Sequence, residues 1–558
     1  MEDIYGLAAG SVSRLNSSHR LSKMSPLQQK PIDVAIVGGG IAGLTTAVGL
    51  QKYPHINLQI YESAHKFGEV GAGVVLGPNS QRAMTIIDPR IKEGYDRRAA
   101  FDDDPPDEDD LYPWMTIVKG QQPDLGQKVI QFKHKVKGST IHRAHFLDEL
   151  VKLIDMDRAH FGKRLDHIYE TDDKSSPIVL HFKDGSTASA DVVIGADGIH
   201  SDVRRHVLGP QDPAANAFFT GTVQYRATVP FEKAEEKLGK IEQSPGQLCG
   251  TNGSVFGFLL SNKTLYYIGV TVSNSGPWQH DKWIANVNLD EVKKQFSDWD
   301  DYSRKIVELL PTDGSTMAWS VWEMPPASTF FKDRIVITGD AAHASTPFQG
   351  AGAGQAIEDA LVLEQLLGKY LDPAIKSHYL PTPQEAVPYL LQVYDTIRRF
   401  RSQKVVTTSR QTGRISTCSE PGVGNTAAEI RNALQGRQHW IWDHDQEQQV
   451  KDAFQLFGKT FVKVLGEVLT QHPQMRSETL ASVRWHGLIE KYITLFQFAT
   501  IDQYTYRTAV IQAMHDRNKV HYQCYSAAIC IAERWLAMSH ALGVPLPQMS
   551  QILFVLML

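Results

Sequence analysis

Apolar and polar positions alternate between two periods along the chain, and the changes of period mark its elements. "DVAIV" from Asp33 is almost continuously apolar, as expected for a parallel strand covered on both faces. After a glycine-rich turn, Leu44, Ala47 and Val48 recur at helical intervals, and "NLQIYE" then reads as a second strand. Far downstream the order repeats. "RIVIT" from Arg334 leads into Gly339-Asp340 and a helix carrying Ile357, Ala360, Leu361 and Leu367 on one side. Between these units, the strand-like runs "PIVLHF" and "ADVVIGADG" flank an Asp184-Gly185 hairpin turn. Residues 217–325 read as mostly strands ("GTVQYRATVP", "GSVFGFLL", "TLYYIGVTV"), and the pattern turns helical from "VPYLLQVYDTIRRFRSQK" onward.

Length and composition narrow the classes. With 558 residues the chain can bury one large core or two to three domains, and 42% hydrophobic with 21% charged residues is ordinary for a globular enzyme. A net charge of -5 leaves no global footprint for nucleic acid. Cys249, Cys418, Cys524 and Cys530 have neither metal-ligand spacing nor a disulfide pattern, which predicts no metal and fits a reducing compartment. No apolar run reaches the roughly 18 residues of a membrane helix, so no membrane span is expected. The Ser-rich residues 1–30 read as a disordered leader, and "FDDDPPDEDD" from Phe101 as a solvated loop.

The chemistry starts at the first turn. Gly38, Gly40 and Gly43 have G-x-G-x-x-G spacing: the first permits a tight turn, the second admits a pyrophosphate to the backbone, and the third allows close helix packing. The helix N-terminus then directs free N–H groups at the phosphates. Glu62, nineteen residues beyond Gly43, suits the hydroxyls of an adenosine ribose. This half-motif fits NAD and FAD equally. Asp197-Gly198 follows a strand ahead of a short helix, where Asp197 also suits a helix cap.

Three motifs in this order, the triplet with Glu62, "IGADGIHSDVR" and "GDAAHASTPFQGAGAGQAIEDA", resemble the single-component FAD-dependent aromatic hydroxylases (group A flavoprotein monooxygenases), in particular their salicylate hydroxylase-like fungal branch. The resemblance covers roughly residues 32–455. It implies an α/β fold: a Rossmann-like FAD-binding domain interleaved with a mostly antiparallel β-sheet substrate domain, and a helical C-terminal region. The corresponding boundaries are 31–216 and 326–375 for the FAD-binding parts, 217–325 for the sheet, 376–455 for the helical region and 456–558 for an extension of unknown role. The family implies that Gly38, Gly40, Gly43 and Glu62 hold the AMP half of noncovalent FAD. It places Val75 and Arg143 against the flavin, Asp340 on the ribityl chain and the Ala353 backbone at the flavin end. Asp197 and Gly198 match a motif associated with both FAD and the pyridine nucleotide, while His343 falls within the GD motif as a structural residue.

The implied activity is hydroxylation of a small phenolic or salicylate-like molecule with O2 through a C4a-hydroperoxyflavin, NADH or NADPH acting as a transient reductant. Arg226 matches an arginine that holds a phenolate in some fungal members, but the tyrosine that accompanies it there is Phe258 here. A reductase or dehydrogenase on the same scaffold, without oxygen insertion, is the alternative. A cytoplasmic location is expected.

Overall fold

The computed structural model describes residues 31–471, apart from 69–72, 102–103, 174–175, 242–245, 261–263, 274, 315 and 372–382. The expected leader and residues 472–558 of the extension lie outside the described residues.

A six-stranded sheet organises the first core. Its order is Phe331–Lys332, Ile335–Ile337, Val192–Gly195, Ile32–Val37, Ile56–Tyr61, Ala159–His160, and every neighbouring pair is parallel except the first. The register sets Val37 beside Gly195 and Gly195 beside Ile337. Three motifs spread over some three hundred residues therefore leave the same end of three adjacent strands, the position where open parallel sheets bind ligands.

Close approach explains the glycines. Gly38 has φ +106°, and a Cβ there would sit 2.3 Å from the Ala196 carbonyl oxygen. One on Gly43 would sit 2.0 Å from the Gly38 oxygen, so these two residues let the turn fold back on its own helix, Ile41–Leu50. Gly339 (φ +57°) brings the second turn onto that helix, where an added Cβ would meet Ala42 at 2.7 Å. The two glycine-rich turns pack directly on each other.

The second core lies under an eight-stranded sheet ordered Ile284–Asn286, Met317–Glu323, Phe218–Pro230, Leu265–Ser273, Gly253–Leu260, Gly246–Gly250, Tyr112–Lys119, Lys128–His134. Only the pairing of Gly246–Gly250 with Tyr112–Lys119 is parallel. Alternate residues such as Val255, Ile268 and Val270 bury one face against Phe296, Trp299 and Ile306. The two strands from Tyr112–His134 join this sheet from within the first part of the chain. The Asp184-Gly185 turn closes a hairpin, with His181 opposite Thr187. Helices dominate from Pro383 to Gln471.

Buried ions tie the motifs together. Arg204, in the helix Asp202–Leu208, donates to the carbonyls of Ala341 (3.0 Å), Ala342 (2.6 Å), Ala214 and Pro325, so one motif holds the backbone of another. Arg398 is fully buried, and binds Glu358 (2.5 Å) and Asp359 (2.8 Å) on the helix Gly352–Leu363. Burial opposes ionisation of both carboxyls, yet Arg398 with Arg401 holds Glu358, and His343 with Arg398 holds Asp359, below the usual carboxylate range. Asp359 in turn accepts from the Gly339 amide (3.0 Å) and pairs with His343 (2.6 Å), which fixes the second turn from below.

Glu323 has a different balance. It is buried beside Arg410, and burial pushes its carboxyl up to about 7 against the pull of Arg410 and Arg414. A folded pKa above the unfolded value contributes stability that is full below about 4.5 and lost as pH rises to about 7. Glu323→Gln removes that loss. Its stability relative to the parent is expected to climb between pH 5 and 7 by up to about 3 kcal/mol, then level off. Denaturant unfolding at each pH measures this difference, and a pH-independent difference would contradict the assignment.

Candidate active site

The strand ends enclose a cavity of about 620 Å3 that touches all three motifs. Gly38 and Gly40 form one end, and the helix Ile41–Leu50 opens onto it with no side-chain cap. Glu62 lines the wall beside them at the end of the strand Ile56–Tyr61. Its carboxylate accepts from the amides of Gly39 (2.7 Å) and Ala64 (2.7 Å), which fixes the acid next to the turn. Gly43 lies beneath the turn rather than in the wall.

Asp340 and Ala353 line the same cavity from the second glycine-rich element. The helix Gly352–Leu363 also begins without a side-chain cap. Two helix N-termini with uncapped N–H groups thus meet one cavity, an arrangement suited to a diphosphate. Among the described residues no side chain hydrogen-bonds the exposed Asp340 carboxylate.

Val75 and Arg143 lie on and next to a small sheet. The strand Gly73–Val75 pairs with Ser139–His142, and Arg143 begins the helix that follows. Both residues face the cavity. Lys163 and Arg164 add two further cations that sequence reasoning missed, since neither belongs to a motif. Asp197 and Gly198 line the wall as well, but the Asp197 carboxylate is committed to capping. It accepts from Ser201 Oγ and from the amides of Asp202 (2.8 Å) and Val203 (3.1 Å). Burial pushes it up to about 6 against those bonds.

Arg226 reaches the cavity from the centre of the large sheet. Its Nε and Nη2 both donate to Gln224 Oε1 (3.0 and 2.8 Å), and its guanidinium lies 5.5 Å from the Trp319 ring centre. Gln224 also donates to Thr271 Oγ1 (3.1 Å), so the amide is held at both ends. Next to it lies a smaller chamber of about 110 Å3, which shares Val75, Gln224, Phe256, Phe258, Pro347 and Gly350 with the larger cavity. Trp114, Met115 and Trp442 complete its apolar wall, while Gln247, Gln349 and Gln438 supply amides. Among the described residues no charged side chain lines it. Trp114 and Trp442 pack with ring centres 4.8 Å apart, although 328 positions separate them in sequence. Phe258 is buried against Tyr267 (4.9 Å) and the Gly73 backbone.

The donor set fits FAD: an acid beside the first turn, two uncapped helix N-termini, cations along the wall and an acid at the second turn. Among the described residues no group of His, Cys, Asp and Glu fits a metal ion, and no helix is long and apolar enough to cross a membrane.

Comparison with known proteins agrees. Residues 156–409 match the FAD binding domain family. The chain is 40% identical over 429 residues to 6-methylsalicylate 1-monooxygenase of Aspergillus terreus, covering 76% of this chain and 92% of that protein. It is 34% identical over 439 residues to salicylate hydroxylase of Pseudomonas putida, covering 76% and 95%. A solved salicylate hydroxylase substrate complex superposes with TM-score 0.64 at 31% identity, covering 76% of this chain and 98% of that one. The fold is also that of CtdE, solved in complex with FAD and a substrate, at TM-score 0.62 and 22% identity, over 76% of this chain and 98% of that one. The chain belongs to the FAD-dependent monooxygenases of the salicylate hydroxylase-like family.

Proposed function

We propose that this monooxygenase uses NADH or NADPH and O2 to hydroxylate a small phenolic or salicylate-like molecule. The observation that carries the reading is the shared wall of the two cavities. The large cavity that touches both glycine-rich turns and a small chamber walled by aromatic rings are both lined by Val75, Gln224, Phe256 and Phe258. The relatives named for 6-methylsalicylate and salicylate support an aromatic substrate.

Each predicted residue then has a task. Glu62 accepts the ribose hydroxyls, and the Gly38–Gly43 turn admits the phosphates to the helix N-terminus. Asp340 accepts from the ribityl chain, while Val75, Arg143 and the Ala353 backbone bound the flavin. Asp197 holds its loop through the helix cap, leaving Gly198 to face the cofactor side. FAD, when bound, supplies hydride acceptance and oxygen activation, chemistry that protein side chains lack. Trp114, Phe256, Phe258 and Trp442 hold the ring and keep water out. The Gln224 amide, oriented by Arg226, presents a polar edge to it. The Arg226 cation favours the ionised, more nucleophilic form of a phenol. The 31–216, 217–325 and 326–375 divisions are proposed to act as interleaved cofactor and substrate parts, with 376–455 closing the chamber through Gln438 and Trp442.

Arg226→Ala is expected to keep its FAD but lose about 10–100-fold in kcat/KM for hydroxylation, the worth of a charge-assisted hydrogen bond. Arg226→Lys retains the charge without the planar fork that grips Gln224. An intermediate defect points to charge, a full one to orientation. Product formation measured beside bound FAD separates these cases, and normal coupled turnover in Arg226→Ala would remove the residue from the site. The function itself is tested with panels of phenols and aromatic acids. A substrate should stimulate NAD(P)H oxidation and leave as a hydroxylated product. An unoxygenated redox product formed anaerobically with turnover would identify a dehydrogenase instead.

A further inference from the structure

A third cavity, of about 280 Å3, adjoins the aromatic chamber at Phe348, which lines both. The ring is seated on Gly413, where a Cβ would approach Phe348 Cδ2 to 2.2 Å, so glycine is what lets it lie against the helix Pro383–Ser416. Thr346 lines both this cavity and the large cleft.

The lining chemistry is cationic and hydroxylic. Arg410 and Arg414 lie one helical turn apart and both line the cavity, as do Thr220, Thr222, Ser273 and Thr417. Ser273 is 9% exposed, and its buried Oγ has no hydrogen-bond partner among the described residues. Such a hydroxyl is costly unless something occupies its position. The strand opposite carries a bulge between Phe219 and Thr222, with Gly221 at φ +77°, which breaks the ladder at this wall. Glu323 pairs with Arg410 from behind, also feels Arg414, and does not line the cavity, so two arginines stand against one acid whose charge burial opposes.

We propose that this cavity is a binding site for the oxyanion of a small organic molecule, a carboxylate or a phosphate, gripped by Arg414, Arg410 and the Ser273 hydroxyl. Two molecules of the reaction carry such groups: an aromatic acid bound for the chamber at Phe348, and the pyridine dinucleotide. Which of them uses the site rests on the hydroxylase reading; the anion binding does not.

The test is calorimetric titration of the FAD-loaded full chain at low salt with benzoate, with benzamide as its uncharged counterpart, and with ADP for the diphosphate. Arg414 is exposed on its helix, so Arg414→Gln should fold, and Ser273→Ala removes only the hydroxyl; Arg410 is left intact because its loss would strand buried Glu323. The expected result is that Arg414→Gln weakens an oxyanion about tenfold or more, with Ser273→Ala weakening it less and benzamide unaffected. A loss confined to benzoate identifies the carboxylate as the ligand, and a loss confined to ADP the dinucleotide phosphate. Equal affinities of benzoate and ADP for the parent and both variants, or no binding of either, would overturn the proposal. Because titration needs no turnover, an absence of hydroxylation would leave this result standing, and the two failures are distinguishable.

Discussion

Arg398→Leu is expected to lower the stability of the protein by about 3–5 kcal/mol and to strip it of FAD. The guanidinium is fully buried between Glu358 and Asp359, with further bonds to Gln355 and Gln449. Leucine leaves one carboxylate with Arg401 and the other with His343, both still out of water. Removing one member of a buried ion cluster costs much more than the cluster's net worth, because the remaining charges keep their desolvation penalty. The effect reaches the cofactor through Asp359, which holds the Gly339 amide and hence the turn that presents Asp340. Arg398→Lys keeps the charge but cannot serve both acids with one fork, so its loss should be smaller yet clear. Denaturant unfolding with FAD content measured in parallel checks both effects. A stability loss under about 1 kcal/mol would show that the network tolerates rearrangement.

Asp340→Ala is expected to leave the fold intact and weaken FAD by about 10–100-fold. Its carboxylate faces the cavity, so the substitution breaks no hydrogen bond among the described residues. A charge-assisted bond to a ribityl hydroxyl is worth about 1.5–3 kcal/mol, which sets that range. Asp340→Asn retains an acceptor and should fall between. Fluorescence titration of apoprotein with FAD reads the affinities, with circular dichroism confirming the fold. Unchanged FAD affinity in a folded Asp340→Ala would take the residue out of the cofactor site.

What the sequence makes legible is local. A strand followed by a turn with fixed glycine spacing is a short-range pattern, and Gly38, Gly43 and Gly339 are needed for close contacts within or between such turns. Their convergence at one sheet end follows from parallel pairing, which the apolar runs "DVAIV", "DVVIG" and "RIVIT" already imply. Val75 and Arg143 carry no such local signal, and only the family resemblance points to them. The aromatic chamber was not legible, because Trp114 and Trp442 belong to remote segments that meet only once the large sheet and the C-terminal helices are packed. Arg398 misleads for another reason. It sits in "TIRRFRSQK", where the helical pattern gives no sign of which arginine is buried: Phe400 is 68% exposed, while Arg398 two positions before it is wholly buried. Tertiary charge pairing inverted the usual preference, and the signal that could have found it is the adjacent Glu358-Asp359 pair on an otherwise apolar helix.

In the proposed reaction, reducing power and O2 place oxygen on an aromatic ring held beside Phe256 and Phe258. Mass spectrometry of the product formed under 18O2, with NAD(P)H and a substrate that stimulates its oxidation, tests it most directly. One 18O atom per product molecule is expected, and none when the label is supplied as water. Label that enters only from water, or that is recovered entirely as hydrogen peroxide across the whole substrate panel, would contradict it.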